Sequence, residues 1–234
     1  MHENFIALAT PEGQSKQLVI LMEAEVDVLQ DNPFDFILQA HATALPFRYT
    51  SVESDALSPY LRPDNGPAGL AVQRWVESQF PGGLRGDTVD SLTRLNTAVH
   101  RLLRYTRREE TGVQSPEVTL ETQSGSCRDF AVLLIEACRA NGLAARFVSG
   151  YLHTAGGESP GRAENAMHAW AEVYLPGAGW KGVDPTNGIF CSGDFIPVAV
   201  ALDPSSVSPI QGSYVSPHPV DNELHATVDV VKQS

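Results

Sequence analysis

The sequence predicts an α+β fold, with helices in the first half and an antiparallel sheet in the second. Three observations carry this. An amphipathic stripe runs through residues 88–105, a further helix opens at Cys127 and stops at Asn141-Gly142, and strand-like segments follow between Gly- and Pro-rich turns.

In chain order, residues 1–50 read as an N-terminal β segment and residues 51–234 as the core. From 22 to 28, Met22, Ala24, Val26 and Val28 alternate with Glu23, Glu25 and Asp27, the pattern of a half-buried antiparallel strand. Residues 18–21 extend it, and 5–8 offer a partner across Thr10-Pro11-Glu12-Gly13. The proline-punctuated stretches 32–36 and 45–47 connect this segment to the helices. Helical patterning then covers 54–61, 68–80 around Trp75, and 88–105, where Leu92, Leu95, Val99, Leu102 and Tyr105 share one stripe. Strands are expected at 143–151, 167–175, 179–183, 195–201 and 224–231, with a polar, mobile loop from His153 to Glu164.

A chain of 234 residues with 42% apolar content can bury a sizeable core. Its formal charge of −12 argues against nucleic-acid and anionic-membrane partners, because counterion-release binding needs clustered Lys and Arg. The basic stretch Arg101, Arg104, Arg107 and Arg108 reads as a solvated helix end. No apolar run is long enough to span a membrane, and Met1-His2-Glu3-Asn4-Phe5 shows no secretory pattern, so a cytoplasmic location is expected. The three cysteines have neither disulfide-framework nor zinc spacing. Histidines outside the site lack metal-ligand spacing and no phosphate-binding glycine loop is present, so neither metal nor cofactor is expected.

Chemistry concentrates at Cys127. A thiol is nucleophilic as the thiolate, and a helix N-terminus favours an anion. Ser126 with Asp129 forms a Ser-x-x-Asp capping pattern that puts Cys127 in the first turn. Ala131, Leu134 and Cys138 share its helix face, so the sulfur should turn toward the protein and Cys138 should be a core residue. Cys191 has no assignable role. Along 167–175, Met167, Ala169, Ala171, Val173 and Leu175 form the core face, while the other face carries His168, Trp170, Glu172 and Tyr174. Asp184 ends the next strand before Pro185, where it can accept from one imidazole nitrogen and leave the other for the thiol. The Cys127 backbone N–H is a natural oxyanion donor, Gln123 is a candidate for the second, and Trp170 and Tyr151 are candidate substrate contacts.

At these residues the chain resembles the transglutaminase-like superfamily, in particular its bacterial cysteine-peptidase group. The resemblance rests on Gly125-Ser126-Cys127-Arg128-Asp129, on 144–151, on His168-Ala169-Trp170-Ala171-Glu172-Val173 and on Asp184-Pro185-Thr186-Asn187-Gly188. It implies a papain-like α+β core, with a nucleophile-bearing helix on an antiparallel sheet that supplies base and orienting acid: Cys127, His168 and Asp184. It also implies an accessory N-terminal β domain, of which residues 1–50 look like the final strands; the edge left open would be covered by a local loop or another chain, as in a homo-oligomer. The expected activity is thiol-dependent hydrolysis of a peptide or protein amide through an acyl-enzyme. Acyl transfer to an amine, as in a transglutaminase, and a non-catalytic binding module on the same fold remain open alternatives.

Overall fold

The structure, a computed structural model, describes residues 4–29, 31–108, 110–153, 166–219, 221 and 223–232. Its first half is helical: α1 Ser51–Leu57, α2 Pro67–Gln79, α3 Thr88–Leu102, α4 Pro116–Thr122 and α5 Cys127–Ala140. Local chemistry sets these limits. Thr50 and Glu53 close a capping box at α1, Pro67 occupies the first turn of α2, and the Asp87 carboxylate accepts from the Asp90 N–H at 2.9 Å to open α3. The α5 helix stops at Asn141, where Gly142 takes a left-handed φ of 74°.

Two short pairs tie the helices together: β1 Ala44–Leu45 with β2 Gly86–Asp87, antiparallel, and β3 Arg104–Tyr105 with β4 Ser124–Gly125, parallel. The main sheet holds β5 Ala145–Leu152, β6 Ala166–Leu175, β7 Gly179–Asp184, β8 Ile189–Phe190 and β9 Phe195–Ala201, in the antiparallel order β8-β7-β6-β5-β9. Directly paired residues share a face. Phe147 and Ala171 therefore lie on one side of the β5–β6 ladder, and Gly150 and His168, with Val148 and Trp170, on the other.

Each face has its own core. Phe130, Leu134 and Cys138 of α5 join Phe147, Ala171 and Val173 in the larger cluster. Trp170, Val148, Leu152 and Phe195 make a smaller one behind it. A sheet buried on both sides explains why β6 carries apolar residues on its second face: Trp170 is 1% exposed and His168 2%. Gly150 is required here, since a Cβ would lie 2.2 Å from the Ile196 carbonyl oxygen and 2.6 Å from the Trp170 ring.

Several expectations need correction. Residues 4–29 form no strand, and their alternating apolar positions face outward, with Met22 64% and Val26 53% exposed. Alternation yields a strand only where a partner supplies a ladder and a face to cover. What reaches the outer edge of β9 is one side chain: Asn4 Nδ2 donates to the Val200 carbonyl at 2.8 Å, and the Val200 N–H donates back to Asn4 Oδ1 at 3.0 Å. The expected strand at 224–231 is likewise absent. Tyr105 belongs to β3, not to the preceding helix, and α4 was not anticipated, although Ser115-Pro116-Glu117 carries a cap, a first-turn proline and an acid. Among the described residues no helix is long and apolar enough to cross a membrane.

Leu134 is fully buried in the larger core. Urea unfolding of Leu134→Ala should show a loss of about 2–5 kcal/mol, whereas Val26→Ala, at an exposed position, should stay within about 0.5 kcal/mol of the parent protein.

Candidate active site

Cys127 is the first residue of α5, half-buried against the larger core. The rest of its stripe, Ala131, Leu134 and Cys138, is fully buried, which fixes the rotation of the helix about its axis. Its approach is equally constrained. The Ser126 N–H and hydroxyl both donate to Asp129 Oδ2, at 2.7 and 2.8 Å, and β4 runs beside β3 with the Thr106 N–H donating to the Gly125 carbonyl at 2.8 Å. Gly125 tolerates no side chain, because a Cβ would stand 2.7 Å from Asp129 Cβ.

His168, on β6, and Asp184, closing β7, both have side chains shut off from solvent, and His168 Nε2 lies 3.0 Å from Asp184 Oδ2. That contact leaves Nδ1 as the nitrogen available to the thiol; Nδ1 is buried with no ordinary hydrogen-bond partner among the described residues. Burial alone would lower the His168 pKa. The Asp184 hydrogen bond and the neighbouring Cys127 side chain outweigh it and push the value up to about 10. The arrangement thus favours a charged imidazolium beside the sulfur at neutral pH.

Asp184 is itself held from three sides. The Thr186 N–H donates to Oδ1 at 2.8 Å, Asn187 Nδ2 donates to Oδ2 at 2.6 Å, and Asn96 Nδ2, from α3, reaches the Asp184 carbonyl at 3.3 Å. The first is an Asx turn, and Asn187 lay within the quoted Asp-Pro-Thr-Asn stretch without a role attached. Asn96 had no sequence signal, since its partner lies 88 residues away.

The structure thus gathers Cys127, His168 and Asp184 and gives each of the other candidates its own setting. Gln123 is exposed, adopts a left-handed φ of 49° at the end of α4, and lines an open cleft of about 310 Å³ with Arg74, Trp75, Leu120 and Glu121. Neither Cys127 nor His168 lines that cleft. Trp170 is buried in the smaller core, its ring 6.1 Å from that of His168 and 5.4 Å from that of Phe195. Tyr151 pairs with Met167, which places it on the sheet face opposite His168. Most of the loop expected to line the cleft, residues 154–165, lies outside the described residues.

The remaining cysteines are chemically distinct. Burial pushes the Cys138 thiol up to about 12. Burial, with Asp184 and Glu172 adding to it, also raises Cys191 well above the usual thiol range. Arg108, expected on a solvated helix end, is instead drawn inward: its Nη1 donates to both carboxylate oxygens of Asp129 at 2.8 and 3.0 Å.

A cysteine opening a helix against a sheet that supplies a histidine and an aspartate defines a class, and comparison with known proteins agrees with it. Residues 75–185 match the model of the Transglutaminase-like superfamily. An uncharacterized protein of Mycobacterium tuberculosis is 29% identical over 227 residues, covering 80% of this chain and 71% of its own. A protein-glutamine gamma-glutamyltransferase of Pseudomonas aeruginosa is 40% identical over 70 residues, 28% of this chain and 10% of that protein. The solved structure of a candidate cysteine protease from Cytophaga hutchinsonii superposes with a TM-score of 0.52 at 21% identity, over 68% of this chain and 52% of that one. This chain therefore spans about half the length of that structure, and the likeness is one of fold.

The raised His168 pKa has a consequence for stability. A group that binds its proton more tightly when folded contributes fully below its unfolded pKa, about 6.5, and the contribution is lost as pH rises through about 10. Unfolding free energy measured by urea titration should therefore fall between pH about 6.5 and 10, and His168→Gln should flatten that decline.

Proposed function

We propose that the protein is a thiol-dependent amide hydrolase acting on peptide or protein substrates through an acyl-enzyme. The observation that carries this reading is the buried His168 ring, held by Asp184 at 3.0 Å and coupled through its other side to Cys127. Asp184 fixes the tautomer and orientation; His168 takes the thiol proton and stays charged beside the sulfur.

The sulfur attacks the amide carbonyl carbon, forming a C–S bond and moving the carbonyl π electrons onto oxygen. The Cys127 backbone N–H, unpaired within the first turn of α5, is the donor offered to that oxyanion. Collapse breaks the C–N bond while the imidazolium gives its proton to the departing amine. In the second half a water adds to the thioester as His168 accepts its proton, and the thiolate leaves. The same thioester can react with an amine, and the match to a protein-glutamine gamma-glutamyltransferase is the observation favouring this second outcome.

Profiling with a library of peptides and glutamine donors, in the presence and absence of a primary amine, tests both. Release of acid and amine products is expected, with Cys127→Ala and His168→Ala each losing about 10³-fold or more in kcat. Rapid Cys127-dependent amine incorporation with negligible hydrolysis would replace the hydrolase reading by the transferase one. Iodoacetamide labelling of Cys127 no faster than that of a free thiol would remove both.

Asn187→Ala deletes one of the donors to Asp184 while leaving the triad itself intact. It should lower kcat about 10-fold with little change in KM, the pattern of an interaction that matters in the transition state.

A further inference from the structure

Directly behind Cys127 lies a buried charge pair that the proposed chemistry does not use. Asp129, two residues further along α5, is fully buried. Its carboxylate accepts from Arg108 Nη1 at 2.8 and 3.0 Å, the Gln114 N–H at 2.6 Å, the Ser126 N–H at 2.7 Å and the Ser126 hydroxyl at 2.8 Å. Arg108 is in turn held in place, since Arg128 Nη2 donates to the Arg108 and Glu110 carbonyls, both at 3.2 Å, and Glu110 Oε2 stands 3.6 Å from Arg108 Nε on the outer side. One carboxylate thus gathers the loop that follows β3, the residue capping α5 and the helix's first turn.

We propose that Arg108 and Asp129 are positioning residues for Cys127, with two effects. Mechanically, the clasp holds the turn that aims the sulfur and the Cys127 N–H. Electrostatically, Arg108 neutralises a carboxylate that sits on the nucleophile's own helical turn and would otherwise oppose the thiolate. Charges roughly 7 Å apart at an effective dielectric near 20 shift each other's titration by about 1.7 pH units. The other groups facing Cys127 are His168 from β6 and Tyr105 from β3, with Asp184 acting through His168 and with Arg107 and Arg128 acting on Tyr105. All of these remain in the variants below.

The inference rests on Cys127 being the nucleophile, and the experiment separates the two ideas. Iodoacetamide alkylation of Cys127 in the full chain is followed against pH in the parent, R108Q, D129N and R108K. Removing the cation alone should move the midpoint of the R108Q profile up by about one to two units; removing the anion alone should move that of D129N down; R108K, keeping the charge, should stay near the parent. All three should lower kcat more than they raise KM, R108K least. A clasp with only a structural role would move R108Q and D129N in the same direction or not at all, and either result overturns the proposal. Should R108Q fail to fold by circular dichroism, R108K and D129N decide: a R108K midpoint displaced as far as that of D129N overturns it. A parent protein whose Cys127 labels no faster than a free thiol contradicts the hydrolase reading itself, whatever the variants do.

Discussion

The buried hydrogen bond between His168 and Asp184 is the contact on which the rest of the architecture depends. With both side chains closed to solvent, an unpaired partner would leave a desolvated polar group costing roughly 1–3 kcal/mol, and more if charged. The fold therefore has to deliver both at once, and it does so with adjacent antiparallel strands. β6 carries the ring and β7 ends on the carboxylate, whose remaining oxygen positions are taken by Thr186 and Asn187. The sheet needs apolar cover on both faces to keep this pair dry. The larger core with α5 covers one face, and Trp170, Phe195, Val148 and Leu152 cover the other.

From this constraint the positions of the other parts follow. A helix packed on the sheet by Phe130, Leu134 and Cys138 presents its first turn, not its middle, to the imidazole, so Cys127 stands where backbone N–H groups are free to bind an anion. Burial pushes up the Cys138 and Cys191 thiols, while Cys127 lies beside a charged ring. Reactivity among three chemically identical side chains is thus set by environment.

Cys127, His168 and Asp184 were legible as candidates in the sequence because they lie in short local patterns: a Ser-x-x-Asp cap, an alternating strand and an Asp-Pro terminus. The helices other than α4 and the four longer strands of the sheet were legible through periodicity. What escaped depends on contacts between distant segments. Asn96 meets Asp184 across 88 residues, and Arg108 meets Asp129 across 21, so nothing in local spacing marks either. Trp170 read as a cleft residue because the second small core that buries it is built from β5 and β9, invisible to a pattern confined to β6. The alternation at 22–28 misled for the complementary reason. It describes what a strand needs from its own residues and says nothing of whether a neighbouring strand is there to receive it.

The central claim is that Cys127 carries the acyl group during turnover. Intact-mass and peptide mapping of the full chain, quenched in acid while it turns over a substrate drawn from the peptide and glutamine-donor library, tests this directly. The account predicts an acyl adduct on Cys127 alone, absent from Cys127→Ala and persisting longer when His168 is replaced by Ala. Turnover that continues in Cys127→Ala, or an adduct on Cys138 or Cys191, would contradict it.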